Sequence, residues 1–289
     1  MMMILGALLI GTGVGILTGL FGVGGGFLIT PLLNVILGVP VAVAVGTGAM
    51  QMLGVSTAGL YRRRGESLTD YKMALVLFGG NYVGVRLGAE ALSWLGHLGS
   101  WRINGREVAA AEIVVMGIFF VFLVAITWWI FYDTAHNVQE ESPRAGLFLR
   151  IKLPPYTTFP SIPHSPLSLV VMSYFGLALG FLTGLLGIGG GVILVPGLIY
   201  LVGMRTHCAA ATSLAMVWLA SFVATITHAR LGNTDLSLAI PLLIGGSVGL
   251  QVGVNLCAKL GGRQLRRYFS LVVLLTALLV AGKLIALIF

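Results

Sequence analysis

The sequence predicts an all-α polytopic membrane protein made of two homologous, inverted repeats, each a glycine-broken helix hairpin followed by three transmembrane helices. Three observations predict it. Of the 289 residues, 57% are hydrophobic and only 9% are charged, where a soluble domain carries about 25% charged residues. Several apolar runs reach the roughly 20 residues a helix needs to cross the hydrocarbon core. They are continuous rather than alternating, which excludes a transmembrane β-barrel. Finally, the stretch GILTGLFGVGGGFLITPLL, Gly15 to Leu33, returns as GFLTGLLGIGGGVILVPGL, Gly180 to Leu198, at an offset of 165 residues with 11 of 19 positions identical.

Taken in order, the first apolar segment runs from about Ile4 to Leu20 and stops at a glycine block. Such a block is poor helix, since each interior Gly costs roughly 1 kcal/mol relative to Ala. A short helix from about Phe27 to Leu37 follows, with Pro31 expected near its first turn, where a missing N–H does little harm. Spans are expected at about Val41–Tyr61, closed by Arg62-Arg63-Arg64, then Tyr71–Leu92 and Glu112–Tyr132, the last with Trp128, Trp129 and Tyr132 placed like an interfacial belt. A polar connection holding Arg102, Asn104, Gly105 and Arg106 separates the last two. Residues 133–166 are polar, hold six prolines, and read as a solvated linker, with a docked regulatory segment as the alternative, between an N-terminal repeat, 1–132, and a C-terminal repeat, 167–289. The second half repeats the order: a broken segment at Leu167–Val202, then spans at Thr206–His228, Leu236–Ala258 and Tyr268–Phe289. Gly80, Gly84, Arg86 and Gly88 correspond by offset to Gly245, Gly249, Gln251 and Gly253, small-residue stripes that let helix backbones approach closely in lipid.

Charge decides between two topologies. If each broken segment crosses the membrane, the loop Lys and Arg split seven against seven, which the bias of basic residues toward one face does not expect. If each is a hairpin returning to its own side, the split is eleven against three, with only Arg102, Arg106 and Arg230 opposite. The hairpin is therefore preferred. It leaves three further spans per half, an odd number, so the halves are expected to be inverted. The net charge of +8 follows from these loops and is not a nucleic-acid signal. Cys208 and Cys257 lie in apolar segments without C-x-x-C or metal spacing. The first apolar run has no basic residue before it, unlike a cleavable signal, so it is expected to be retained.

Inverted repeats with interrupted helices place a site near the bilayer midplane, where the breaks meet. Consecutive backbone N–H groups in a glycine turn form a concave nest for an anion, and the following half-helix presents its positive end there. The expected substrate site is Thr18, Gly22, Gly24, Gly25 and Gly26 with Thr183, Gly187, Gly189, Gly190 and Gly191. Thr47 and Gln51 join from the second span, with Thr212 and Ser213 from its counterpart. Glycines that only pack helices are the competing reading. Arg86 is a further candidate, opposite the neutral Gln251, although it can instead pair with Glu90 one turn away. Lys283 is expected to snorkel, and His207 and His228 read as interface residues rather than proton carriers. No span holds an Asp or Glu ladder for a cation. No His-x-x-x-His, Gly-x-Ser-x-Gly or Cys cluster suggests an enzyme, and no Gly-x-x-x-x-Gly-Lys-[Ser/Thr] suggests a primary pump.

The paired G-x-x-T-G-[LF]-x-G-[IV]-G-G-G blocks, each followed by an apolar run with proline, resemble the sulfite exporter TauE/SafE family over both halves. The resemblance implies a secondary transporter in a bacterial-type inner membrane that moves sulfite, sulfonates or related organosulfur and carboxylate anions. It needs no cofactor, and its partners are the anion, the lipid bilayer and a coupling proton or other ion. The family signature falls on Thr18, Gly19, Gly22, Gly24, Gly25 and Gly26, and on Thr183, Gly184, Gly187, Gly189, Gly190 and Gly191. A passive anion channel is the alternative within transport, and a membrane enzyme or scaffold the alternative outside it.

Overall fold

The structure, a computed structural model, describes residues 2–64, 68–103, 106–136, 146–151 and 153–288. The first half consists of α1 (Met2–Phe21), α2 (Gly26–Leu37), α3 (Val41–Arg62), α4 (Tyr71–Gly96), a hairpin of β1 (Ser100–Ile103) and β2 (Arg106–Ala109), and α5 (Ala110–His136). The second consists of α6 (Leu169–Leu186), α7 (Gly191–Pro196) continued by a π-helical turn (Gly197–Val202), α8 (Thr206–Arg230), α9 (Leu236–Cys257) and α10 (Gly262–Ile288). Seven of the described helices, all but α2, α4 and α7, are long and apolar enough to cross a membrane. The chain is an all-α polytopic membrane protein.

Both broken segments are hairpins. The α1 helix stops at Gly22, whose φ of +70° lets its N–H close on the Thr18 carbonyl at 2.8 Å. Gly25, at φ +69°, then caps α2 and turns the chain back. Gly25 lies against Val14 and Thr18 near the end of α1, while Leu37, at the end of α2, reaches Gly6 near its start. In the second copy Gly187 closes on Thr183, Gly190 caps α7 against Thr183, and Gly197 returns beside Phe175. Pro31 sits in the second turn of α2 rather than the first, because the helix begins at Gly26. Its counterpart Pro196 ends the α-helical part of α7, and the π-helical turn follows directly.

The halves exchange helices. Gly11, Gly15 and Gly19 on α1 meet the α9 backbone at Leu242, Gly246 and Leu250, and Gly245, Gly249 and Gly253 on α9 meet Leu8, Thr12 and Ile16 in return. The same reciprocal stripe joins α4 to α6: Gly80, Gly84 and Gly88 against Ser173, Leu177 and Phe181, and Gly176, Gly180 and Gly184 against Leu77, Asn81 and Val85. At these positions the opposing carbonyl occupies the space a Cβ would need, so each pair runs backbone to backbone. Contacts rise together along both chains, so α1 runs parallel to α9 and α4 parallel to α6. Between them, α3 and α8 cross antiparallel: Gly46 meets Asn233 and His228, and Gly59 meets Leu214.

One face carries the α3–α4 turn together with the described part of the 133–166 connection. Residues 133–136 continue α5, and residues 137–145 and 152 lie outside the described residues, Arg144 and Lys152 of the charge count among them. The remainder is docked, unlike the solvated tether expected from its composition. A hairpin of β3 (Tyr156–Phe159) and β4 (Ile162–Ser168) buries Phe159 to 1% exposure. Asp70 accepts hydrogen bonds from the N–H and hydroxyl of Ser161, and Lys72 donates to the Thr158 carbonyl at 2.6 Å.

Candidate functional site

The two breaks meet in the interior. Gly26 lies against the Gly187 carbonyl and Gly191 against the Val23 carbonyl, so each turn is seated in the other. Gly24 packs on Val217 and Gly189 on Met52, residues near the centres of α8 and α3, which places the junction halfway along those spans. Six glycines adopt the left-handed region, three per break: Gly22, Gly24 and Gly25, then Gly187, Gly189 and Gly190, with φ between +66° and +76°. This is the conformation that points successive N–H groups into one concavity. The N–H groups of Gly22 and Gly187 are used to end their helices. Those of Val23–Gly26 and Ile188–Gly191 are buried and have no acceptor among the described residues. Buried backbone donors are nearly always paired, and the first N–H groups of a helix are the ones its own turns leave over, so these groups are candidates to face an acceptor from outside the two turns.

The side chains predicted from sequence divide into those at the junction and those away from it. Thr18 and Thr183 are buried beside the breaks, but their hydroxyls donate to the Val14 and Leu179 carbonyls one helical turn back. A donor engaged in this way reaches an anion only by rotating. Thr47 and Thr212 are fully buried and bind across the halves: the Asp235 N–H donates to Thr47 Oγ1 and the Asp70 N–H to Thr212 Oγ1, each at 3.0 Å. Gln51 and Ser213 are 0% exposed, and neither the Gln51 amide nor the Ser213 hydroxyl has a hydrogen-bond partner among the described residues. Thr30, which sequence reasoning passed over, is in the same condition, and its hydroxyl lies where a side chain on Gly187 would project.

Arg86 and Gln251 are not brought to the junction. Both are exposed on the outer faces of α4 and α9, since the glycines two positions to either side face the partner helix. Arg86 turns to the hydroxyl and ring of Tyr82 rather than to Glu90. Lys283 also differs from its expected snorkelling: its Nζ lies 3.4 Å from Glu112, which in turn accepts from the Asn34 amide at the end of α2.

Sequence reasoning missed the burial of two basic groups. Arg63, in the middle of the basic triplet, is 6% exposed, and its Nη2 donates to the Gly19 carbonyl at 3.0 Å. His228 is 0% exposed, with Nε2 at 3.1 Å from the Gly184 carbonyl, so it is a core residue and not an interface one. Both pairs obey the 165 offset: 63 with 228, and 19 with 184. The carbonyls they hold belong to the glycines that follow Thr18 and Thr183, in the last turn before each break. Comparing the halves residue by residue at that offset would have found them.

The family model described as Sulfite exporter TauE/SafE matches residues 7–280 of the chain. Among curated proteins, the chain is similar to the "Probable membrane transporter protein YjnA" of Bacillus subtilis, 29% identical over 94% of this chain and 97% of that protein. A "Probable membrane transporter protein" of Xylella fastidiosa is 26% identical over 95% and 94% of the two chains. One from the archaeon Methanocaldococcus jannaschii is 25% identical over 87% of each. No solved structure matches the chain at a significant level.

Proposed function

Given that this chain belongs to the sulfite exporter TauE/SafE family, we propose that it is a secondary transporter that moves a small anion, sulfite, a sulfonate or a related organosulfur or carboxylate anion, through a midplane site between the two glycine breaks. The observation that carries this reading is the set of eight buried, unpartnered N–H groups at Val23–Gly26 and Ile188–Gly191. A desolvated N–H without an acceptor costs about 1–3 kcal/mol, and an anionic oxygen is the acceptor that repays most, through charge-assisted bonds. Thr30, Gln51 and Ser213 add unpartnered side-chain polar groups within the same core. A site for a bare cation would present oxygens instead, and the breaks present nitrogen.

Access follows from the symmetry. The antiparallel course of α3 and α8 supports two inverted halves, and inverted halves give one central site two equivalent approaches. Each approach is bounded by one cross-half clamp, Asp70 on Thr212 at one face and Asp235 on Thr47 at the other. Alternating access then means opening one clamp while the other stays closed. The face carrying Asp70 and most basic loops is the cytoplasmic one in this reading.

Counterflow from preloaded proteoliposomes tests the assignment. A carrier with one central site exchanges labelled for unlabelled anion and saturates. Flux that stays linear in anion concentration, with no counterflow, identifies a passive channel instead.

A further inference from the structure

Arg63 and His228 make the same contact at equivalent positions, yet one is a permanent cation and the other is titratable. We propose that His228 is the proton-carrying group of the transport cycle, so that a proton and the anion move together. The proposal rests on the transporter reading above.

A neutral imidazole has one donor and one acceptor nitrogen. With Nε2–H donating to the Gly184 carbonyl, Nδ1 keeps a lone pair, and it is buried without a partner. That atom can take a proton without breaking the existing bond. The proton comes from water on the open face, resides at Nδ1 as the imidazolium, and leaves to water on the other face, with no change in any covalent bond or oxidation state.

The surroundings make this protonation conditional. The carboxylates on the helices packed on α8 lie away from His228: Asp70, buried at the start of α4, sits at the opposite end of α8 beside Thr212. On α4, Lys72, Arg86 and Glu90 are exposed, as are Tyr71 and Tyr82, and His97 beyond its end is exposed too. The α3 helix has Tyr61 and Arg62 only at its far end, α6 has only the exposed Tyr174, and Tyr200 follows α7 beside the start of α8. On its own side, Arg230 is exposed and Asp235 is committed to Ser237. A buried imidazolium with no counter-charge is costly. An anion in the adjacent break supplies that charge, so each ligand favours the other by the same factor. Arg63 gives the first break its fixed positive charge, and the proton gives the second break a matching one only while the anion is present.

The full-length protein in liposomes enclosing a pH-sensitive dye tests this, with sulfate, thiosulfate, methanesulfonate and sulfoacetate as probes, since these stay ionised across the pH range. Counterflow of at least one is the control. Its absence with all four, and with sulfite and acetate as well, refutes the transporter reading and this proposal with it. With counterflow present, the wild type is expected to move protons with the anion gradient and to bind the anion more tightly as pH falls. His228→Gln keeps a donor for Gly184, and its proton movement per anion exchanged should fall at least tenfold, with a flat pH dependence of affinity. His228→Arg, matching Arg63, should also be flat. Anion uptake by the wild type without proton movement overturns the proposal whether or not the variants fold, and so does undiminished proton movement in His228→Gln.

Discussion

Gly25 and Gly190 occupy equivalent turns, but their surroundings differ, and Ala at each position should report the difference. Both have positive φ, +69° and +72°, so Ala at either pays the left-handed penalty of about 1–2 kcal/mol. At Gly25 a Cβ would also drive into Val14 Cγ1 and come within 2.7 Å of Thr18 Oγ1. Val14 is β-branched and fixed in a helix, so it cannot swing aside, and overpacking of this kind costs about 1–3 kcal/mol more. At Gly190 the nearest atom is Thr183 Oγ1 at 3.2 Å, which a shift of a few tenths of an ångström relieves. The expected losses are thus about 2–5 kcal/mol for Gly25→Ala and about 1–2 kcal/mol for Gly190→Ala. Thermal melts of purified protein in detergent should rank them in that order, and Val14→Ala should recover part of the Gly25→Ala loss. Gly190→Ala is therefore the cleaner functional probe. It should stay folded and bind the transported anion at least about tenfold more weakly, about 1.4 kcal/mol, because the turn must relax and its N–H groups lose their common aim. A well-folded Gly190→Ala protein with undiminished affinity would refute the nest and leave the glycines as packing elements. Equal melting points for the two variants would refute the steric argument.

Thr212→Val removes the acceptor for the buried Asp70 N–H and should lower stability by about 1–3 kcal/mol; the melt should be accompanied by faster exchange across the Asp70 face. Thr47→Val makes the matching change at Asp235, whose N–H is less buried, so a smaller loss is expected in the same assay. Gln51→Leu separates two roles. If the amide serves the anion, affinity falls while stability holds or rises, and unchanged affinity would remove Gln51 from the site. Single cysteines at Tyr156 and Leu98, both exposed, in a protein lacking Cys208 and Cys257 should label from opposite sides of the membrane, with Tyr156 cytoplasmic. Labelling from one side would break the two-face topology.

What could be read in the sequence was whatever repeats or has a period. The offset of 165 located both breaks, and the charge count chose the hairpin that Gly6 and Leu37 now close. The glycine stripes announced close packing, but not that α1 would pair with α9 and α4 with α6, because a small-residue face does not name its partner. Single polar residues were harder. Arg63 was hidden in a basic triplet that reads as a loop marker, and its burial follows from the Gly19 carbonyl, which belongs to another helix. Arg86 looked central by depth, yet rotation about α4 turns it outward, since Gly84, Val85 and Gly88 face the interior. The 133–166 connection looked solvated by composition. Asp70 and Lys72, far from it in sequence, hold the part seen here in place.

The exchange of helices between halves also constrains the order in which the chain can be made. The α1 helix presents its glycine face to α9, which begins at Leu236, so its permanent neighbour leaves the ribosome well over two hundred residues later. At about 5–20 residues per second, α1 spends roughly ten to fifty seconds in the bilayer with that face against lipid or a temporary companion. Its turn is equally incomplete, because Val23 and Gly26 rest on residues of the second break. The first half is thus inserted before it is folded, and the last three helices complete both halves at once. A truncation after α8 should leave α1 unpaired and prone to degradation, and supplying α9 and α10 as a separate polypeptide should rescue it.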